Sequence, residues 1–331
     1  MRRREFITGL GSATAWPVVS IVSSASLTAQ TYPSRPITVV VTFPAGGPSD
    51  TVMRIVVESM RGFLGQSVII ENVAGAAGSL GTARVARAAA DGYTVGLGDW
   101  GTHVVNGANY SLSYDVVKDF EPVALMTTNP ALIIAKKTMP ANDLVGLIAW
   151  LKSNPDKATA GTNGQGGSTH IYCAFFQTVT GTRFQLVPYR GLGPVMQDLV
   201  SGQIDIAFGG VADSLPQIRA GLIKVYAVTA KNRLAAAPDI PTVDEAGMPE
   251  FYLALWRAIF APKGTPAGII AKLNAAVTGA LADPAVRTRL ADLGVEIAPR
   301  DQQTPEALRA FQKEEIEKWW PIIKAANIKA Q

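Results

Sequence analysis

Phe43-Pro44-Ala45-Gly46-Gly47-Pro48-Ser49-Asp50 lies between an apolar β-branched run, Ile37 to Val41, and an amphipathic run from Thr51 to Leu64. A strand that ends in a glycine-bearing turn and opens a helix makes an anion site. Glycine lets the backbone approach a ligand, and the first-turn N–H groups point at it. No lysine follows the glycines, so this is not a P-loop, and a carboxylate suits it better than a triphosphate. Gly161-Thr162-Asn163-Gly164-Gln165-Gly166-Gly167-Ser168-Thr169-His170 repeats the arrangement. There Ser168 or Thr169 is placed to cap the helix and to offer a hydroxyl. The bland reading is two tight turns; the pair together predicts one small organic anion gripped from both sides.

Other constellations carry less. Gly96-Leu97-Gly98-Asp99-Trp100-Gly101 has the spacing of a dinucleotide fingerprint. The segment after it, Thr102 to Asn109, is short and contains Gly107, and Trp100 would crowd a pyrophosphate. Trp100 and Asp99 read instead as pocket walls. His103 and His170 are the only histidines. No G-x-S-x-G elbow occurs, and two histidines without acidic neighbours at ligand spacing make no zinc site. No cofactor is expected. The lone Cys173 sits in an apolar run and reads as packing, and Asp205 reads as structural. Leu308, Phe311, Ile316, Trp319 and Ile322 form a helical packing stripe, with Glu314, Glu315 and Lys318 expected in solvent.

Elements that position the two loops alternate along the chain. Strands are expected at 37–42, 68–71 and 93–97, with helices at 49–64 and 79–90. Two apolar runs, 122–127 and 131–135, follow, separated by Thr128-Asn129-Pro130. A second series places helices at 142–153, 168–180, 192–200 and 213–220 and strands at 157–161, 184–188, 203–208 and 223–229. An apolar segment at 252–261 leads to helices at 266–282, 284–292 and 304–326, with a short strand at 294–297. Alternating β and α elements give an α/β fold with mainly parallel sheets flanked by helices. Two series predict two lobes, with the ligand between them outside the carboxyl ends of the strands.

The chain of 331 residues is 48% hydrophobic and 17% charged, the balance of a folded protein with ample core. Its net charge is +4, of which Arg2, Arg3, Arg4 and Glu5 supply +2. The remainder is too weak and too evenly spread for nucleic acid. Arg3-Arg4-Glu5-Phe6-Ile7 fits a twin-arginine export signal spanning residues 1–29, with Ala29 as a cleavage site. An ordinary secretory signal is the alternative. Either route predicts an exported periplasmic protein.

Several ordered segments resemble one family. They include Tyr32-Pro33-Ser34-Arg35-Pro36-Ile37, Phe43-Pro44-Ala45-Gly46-Gly47, Asp91-Gly92-Tyr93-Thr94, Lys118-Asp119-Phe120-Glu121-Pro122-Val123, Val187-Pro188-Tyr189-Arg190-Gly191, Pro241-Thr242-Val243-Asp244-Glu245-Ala246-Gly247 and Ala261-Pro262-Lys263-Gly264-Thr265-Pro266. Together they resemble the solute receptors of tripartite tricarboxylate transporters, the "Bug" group. The resemblance implies a two-lobed type II periplasmic binding fold without catalysis, which hands a small carboxylated solute to membrane permease subunits. Lobe 1 would comprise 30–127 and 250–331, and lobe 2 would comprise 128–249. The chain departs from the family's pattern at Gly209-Gly210, where many members carry a polar pair, at Trp100 and at Arg257.

The expected ligand-binding set is Phe43, Pro44, Ala45, Gly46, Gly47, Ser49 and Asp50 on one side. Gly164, Gly166, Ser168, Thr169 and His170 face them, with Trp100, Gly101, Thr102, Gly209 and Arg257 between. Asp50 is expected to cap its helix. Phe43 and Trp100 are placed to stack on an aromatic acid, and Arg257 to pair a second carboxylate. An aromatic, dicarboxylic or tricarboxylic ligand is therefore expected, bound by a monomer. Competing readings are a receptor presenting its ligand to a sensor protein, and an exported hydrolase using Ser168 and His170.

Overall fold

A computed structural model describes residues 32–325. The expected export signal, residues 1–29, lies outside the described residues. In chain order the elements are β1 (Ile37–Val41), α1 (Pro48–Leu64), β2 (Val68–Asn72), α2 (Ser79–Ala86), β3 (Thr94–Asp99), α3 (Asn106–Asn109) and β4 (Phe120–Lys136). Then come α4 (Leu144–Ser153), β5 (Thr159–Thr162), α5 (Ser168–Thr180), β6 (Gln185–Pro188), α6 (Leu192–Ser201), β7 (Ile206–Gly210), α7 (Val211–Arg219) and β8 (Ile223–Val228). The chain closes with β9 (Ala254–Pro262), α8 (Ala267–Ala282), α9 (Pro284–Asp292) and α10 (Pro305–Ala325).

The strands form one mixed sheet in the order β2-β1-β3-β9-β4-β7-β5-β6, with β8 also on β4. Two parallel triplets, β2-β1-β3 and β6-β5-β7, are each closed by an antiparallel strand, β9 on β3 and β4 on β7. Within each triplet the strand that carries a glycine loop is central. Parallel neighbours end at the same edge, so the first loop lies beside the end of β3, and the second beside the start of α7.

One expected break is absent. The runs 122–127 and 131–135 are a single strand, β4, which passes through Thr128-Asn129-Pro130. Pro130 lacks a donor, and the strand changes partners around it: up to Pro130 it pairs with β9, and from Ala131 or Leu132 with β7 and β8. The chain returns at the same place, where Thr229 N–H donates to Ala131 O and Leu253 N–H to Thr229 O. The strand expected at 294–297 reduces to one bridge, Thr127 to Ile297.

Helix α1 follows from its pattern. Val52, Met53, Val56, Val57, Met60 and Leu64 recur on one face and are buried. Gly65, at φ 64°, ends the helix with its N–H on Arg61 O. A second core joins the two sheet halves: Trp100 lies 5.0 Å from both Tyr172 of α5 and Trp319 of α10. Glu315, expected in solvent, is half-buried beside this cluster, and burial pushes its carboxyl up. The glycines of the would-be dinucleotide motif serve packing. A Cβ at Gly98 would lie 2.4 Å from the His103 ring and 2.6 Å from Phe260, and these rings stack at 3.9 Å.

The Gly98→Ala variant should therefore lose about 1–3 kcal/mol through overpacking. Urea unfolding would show a lower midpoint at unchanged slope; an unchanged midpoint would remove the packing role.

Candidate ligand-binding site

The two glycine loops are built alike, residue for residue. Thr42 follows β1 and Thr162 ends β5; four residues on, Gly46 (φ 78°) and Gly166 (φ 73°) take the left-handed conformation that glycine alone adopts cheaply. Next, Gly47 and Gly167 occupy the helix N-cap with φ, ψ of −77°, 170° and −74°, 173°. Gly47 N–H donates to Pro44 O at 3.3 Å, and Gly167 N–H to Gly164 O at 3.1 Å. Each loop is closed from inside its helix. Asp50 Oδ2 accepts from Gly46 N–H at 2.8 Å, and His170 Nδ1 accepts from Gly166 N–H at 3.2 Å.

This geometry corrects the expected capping. Neither helix has a side-chain cap; glycine stands there, and Asp50 is the third helical residue folding back on its own loop. The N–H groups of Ser49 and Asp50, and of Ser168 and His170, have no acceptor among the described residues. They are the orphan donors of two helix starts and carry the positive end of the helix dipole.

Each loop is braced by side chains. Asp50 is almost wholly buried and also accepts from Arg54 Nε at 2.8 Å and Asn72 Nδ2 at 2.9 Å. Burial alone would raise its pKa, but bonds from Arg54, Gly46 and Asn72 hold it below the ordinary carboxylate value. Burial lowers the pKa of His170, which keeps Nδ1 available as an acceptor. Thr169 Oγ1 accepts from Asn163 N–H at 2.7 Å, and Ser168 Oγ accepts from Asn163 Nδ2 at 3.0 Å. Asn109 Nδ2 of α3 donates to Gly166 O at 2.8 Å, tying the second loop to the first half of the chain.

Arg257 stands on β9, directly opposite Asp99 of β3 and Thr127 of β4. Its Nε donates to Ser49 Oγ at 3.1 Å, joining the sheet centre to the start of α1. Its two terminal nitrogens donate to nothing among the described residues. Burial lowers its pKa, against the charges of Asp99 and Asp213. The Asp99 carboxylate accepts from Thr102 N–H at 2.8 Å and from Thr102 Oγ1 at 3.0 Å.

Other expected contacts fall differently. Trp100 is wholly buried between Tyr172 and Trp319, so it packs behind the loops and cannot stack on a ligand. Thr102 is wholly buried and committed to Asp99, beside Gly101. Gly209 is a packing position, since a Cβ would lie 2.2 Å from Ser214 Oγ and 2.7 Å from Ile134 Cδ1. Phe43 is half-buried, and Pro44, Ala45 and Gly46 are exposed. A surface groove of about 590 Å³ runs from Ala45, Gly46 and Asp50 to Arg289 of α9, and it includes neither Arg257 nor any residue of the second loop.

Sequence reasoning missed Thr42 and Thr162. Both are buried at the strand ends beneath the loops, and neither hydroxyl has a partner among the described residues. The signal was present: both loops read Thr, three residues, Gly-Gly.

A family model described as "Tripartite tricarboxylate transporter family receptor" matches residues 52–328. The chain belongs to that receptor family. It is 41% identical over 323 residues to a protein from the TAR-I ttuE-ttuC' intergenic region of Agrobacterium vitis, covering 98% of this chain and 92% of that one. MatC from Rhodopseudomonas palustris, solved with bound malate, is 41% identical with a TM-score of 0.80, covering 88% of this chain and all of that one. The periplasmic binding protein BugD is 36% identical with a TM-score of 0.80, covering 91% and 100%. The fold is thus the α/β fold of periplasmic binding proteins, and a tripartite tricarboxylate receptor is a binding protein, not an enzyme. The hydrolase reading fails on geometry too, because His170 Nδ1 is bonded to Gly166 and Ser168 Oγ to Asn163.

His103 gives a pH prediction for the receptor. It is buried, its Nδ1 bonds Thr102 Oγ1 at 3.0 Å, and burial pushes its pKa down to about 3. The unfolded chain takes up this proton near pH 6.5 and the folded one does not. Stability from the neutral ring is complete above that pH and fades as pH falls towards about 3. Urea unfolding should show a loss of roughly 1 kcal/mol per pH unit between pH 6 and 5. His103→Phe should flatten that slope; an equal slope would assign it elsewhere.

Proposed function

We propose that the protein is a periplasmic solute receptor that holds a small carboxylated molecule between the starts of α1 and α5 and delivers it to tripartite tricarboxylate permease subunits. The observation that carries this reading is the matched pair of loops, each presenting unpaired amide donors braced from its own helix. One carboxylate would sit on the N–H groups of Ser49 and Asp50, brought close by Gly46 and Gly47. The opposing loop, with Gly164, Gly166, Ser168 and Thr169, would complete the grip, and Arg257 would offer its free terminal nitrogens between them. The solved relative with bound malate supports a carboxylate of this size. With Trp100 inside the core, Phe43 remains the one expected aromatic contact.

In this reading residues 30–127 with 250–331 form one lobe and residues 128–249 the other. The lobes hinge near 122–135 and 228–255, where β4 changes partners. Residues 1–29 would direct export and then be cleaved, leaving a periplasmic monomer.

Calorimetry with a panel of mono-, di- and tricarboxylates tests the reading, and a folded sample that binds none of them would end it. Gly47→Val should abolish carboxylate binding while circular dichroism stays native, because its Cβ would start 3.3 Å from Pro44 O at the head of the donor turn. Arg257→Met should weaken binding about 10- to 100-fold, the loss expected for a charge-assisted hydrogen bond. Wild-type affinity in both variants would place the ligand elsewhere.

A further inference from the structure

The two glycine loops differ in stiffness. Pro44 and Pro48 flank the first and fix their own backbone angles before any contact forms. Asn163-Gly164-Gln165-Gly166-Gly167 has three glycines and no proline, so it loses more backbone freedom on ordering. Side chains brace the loops from different places. Asn72 Nδ2 donates to Phe43 O at 3.0 Å, Arg54 holds Asp50, and Arg257 holds Ser49, all from the lobe that carries the first loop. The carbonyl of Gly166 is held from the opposite lobe, by Asn109 Nδ2 at 2.8 Å. Outside the segments expected to hinge, this is the one hydrogen bond or ion pair that joins the lobes among the described residues.

Asn109 stands at the end of a fixed arm. After β3 the chain makes one wide π-helical turn, with Asn106 N–H on Gly101 O. Helix α10 holds that turn: Gln312 Nε2 donates to His103 O at 3.0 Å and Trp320 Nε1 to Val104 O at 2.9 Å. Asn106 Nδ2 ties it to Ala77 O at 3.0 Å. The Asn109 side chain adds nothing to the arm itself, since its Oδ1 is buried without a partner among the described residues and its Nδ2 goes to Gly166. Gly166 O and Gly167 N–H share one planar peptide unit, so the bond sets the plane from which the cap of α5 begins. A separation of roughly 1 Å would break it. We infer that Asn109 is a positioning residue that completes the second half-site only as the lobes come together, and so holds the closed form on its solute. The inference rests on the two-lobed carboxylate-receptor reading above and adds the residue that couples closure to assembly of the site.

Stopped-flow tryptophan fluorescence with malate, adipate and citrate tests it in the wild type, in Asn109→Ala and in the equal-sized Asn109→Asp, which puts an acceptor where the donor stood. Both variants should release a bound acid about five- to tenfold faster, the loss expected when a buried carbonyl is left unpaired. The association rate should stay within about twofold, because capture by the open form precedes the bond. The urea midpoint of the ligand-free protein should stay at the wild-type value, which a merely structural role would not allow. An unchanged release rate in both variants, or slower association with a lowered midpoint, would overturn the positioning role and leave the carboxylate receptor standing. Binding of none of the three acids by the folded wild-type protein would overturn both.

Discussion

A hydrogen bond that runs backwards governs this molecule. In each glycine loop the fourth residue after the left-handed glycine reaches back to that glycine's N–H: Asp50 to Gly46 and His170 to Gly166. The loop is thereby closed without using the first N–H groups of the helix. A serine or threonine cap would satisfy those donors internally. Glycine at the cap, with the return bond behind it, leaves them open and aimed beyond the strand ends. Two different side chains, a buried carboxylate and a neutral imidazole, do the same job in the two loops. The role therefore belongs to the position, and only an acceptor is required there.

The sheet places these loops. Each sits on the central strand of a parallel triplet, so each helix start emerges at the edge where its neighbours also end. Strand β4 joins the triplets, and β9 brings Arg257 to the junction, where its Nε is fixed by Ser49. Behind the junction, Trp100, Tyr172 and Trp319 pack residues from both halves into one core. A rigid back with an uncommitted polar front is what a receptor that closes on a small solute requires. The buried charges at the front are tolerable because Asp99 is hydrogen-bonded by Thr102 and stands opposite Arg257.

The sequence made the alternation of elements and the two loops legible, because β-branched runs, helical periodicity and glycine clusters are local signals. Helix α5 and helix α9 match their expected ranges to the residue. What depended on partners was not legible. Pro130 reads as a break, yet it is the point where one long strand exchanges neighbours. Trp100 reads as a pocket wall beside a glycine turn, but Tyr172 and Trp319, both far away in the chain, enclose it. Glu315 reads as solvated on a helical pattern, and only the aromatic cluster beside it shows otherwise. Asp50 has the residue type of a cap, but a cap is defined by backbone conformation, and that belongs to Gly47. The spacing of Thr42 and Thr162 before their glycine pairs was readable, and its meaning emerges only when both hydroxyls are seen buried without partners.

The central claim is that open amide donors at two helix starts hold the ligand. The most direct measurement is amide chemical shift by transverse-relaxation-optimised NMR, titrating the protein with the tightest-binding carboxylate. The account predicts that the N–H protons of Ser49, Asp50, Ser168 and His170 move downfield together as they gain an acceptor, while those of Gly46 and Gly166, already bonded to Asp50 and His170, move little. Saturable binding that leaves these four amides unmoved would contradict it.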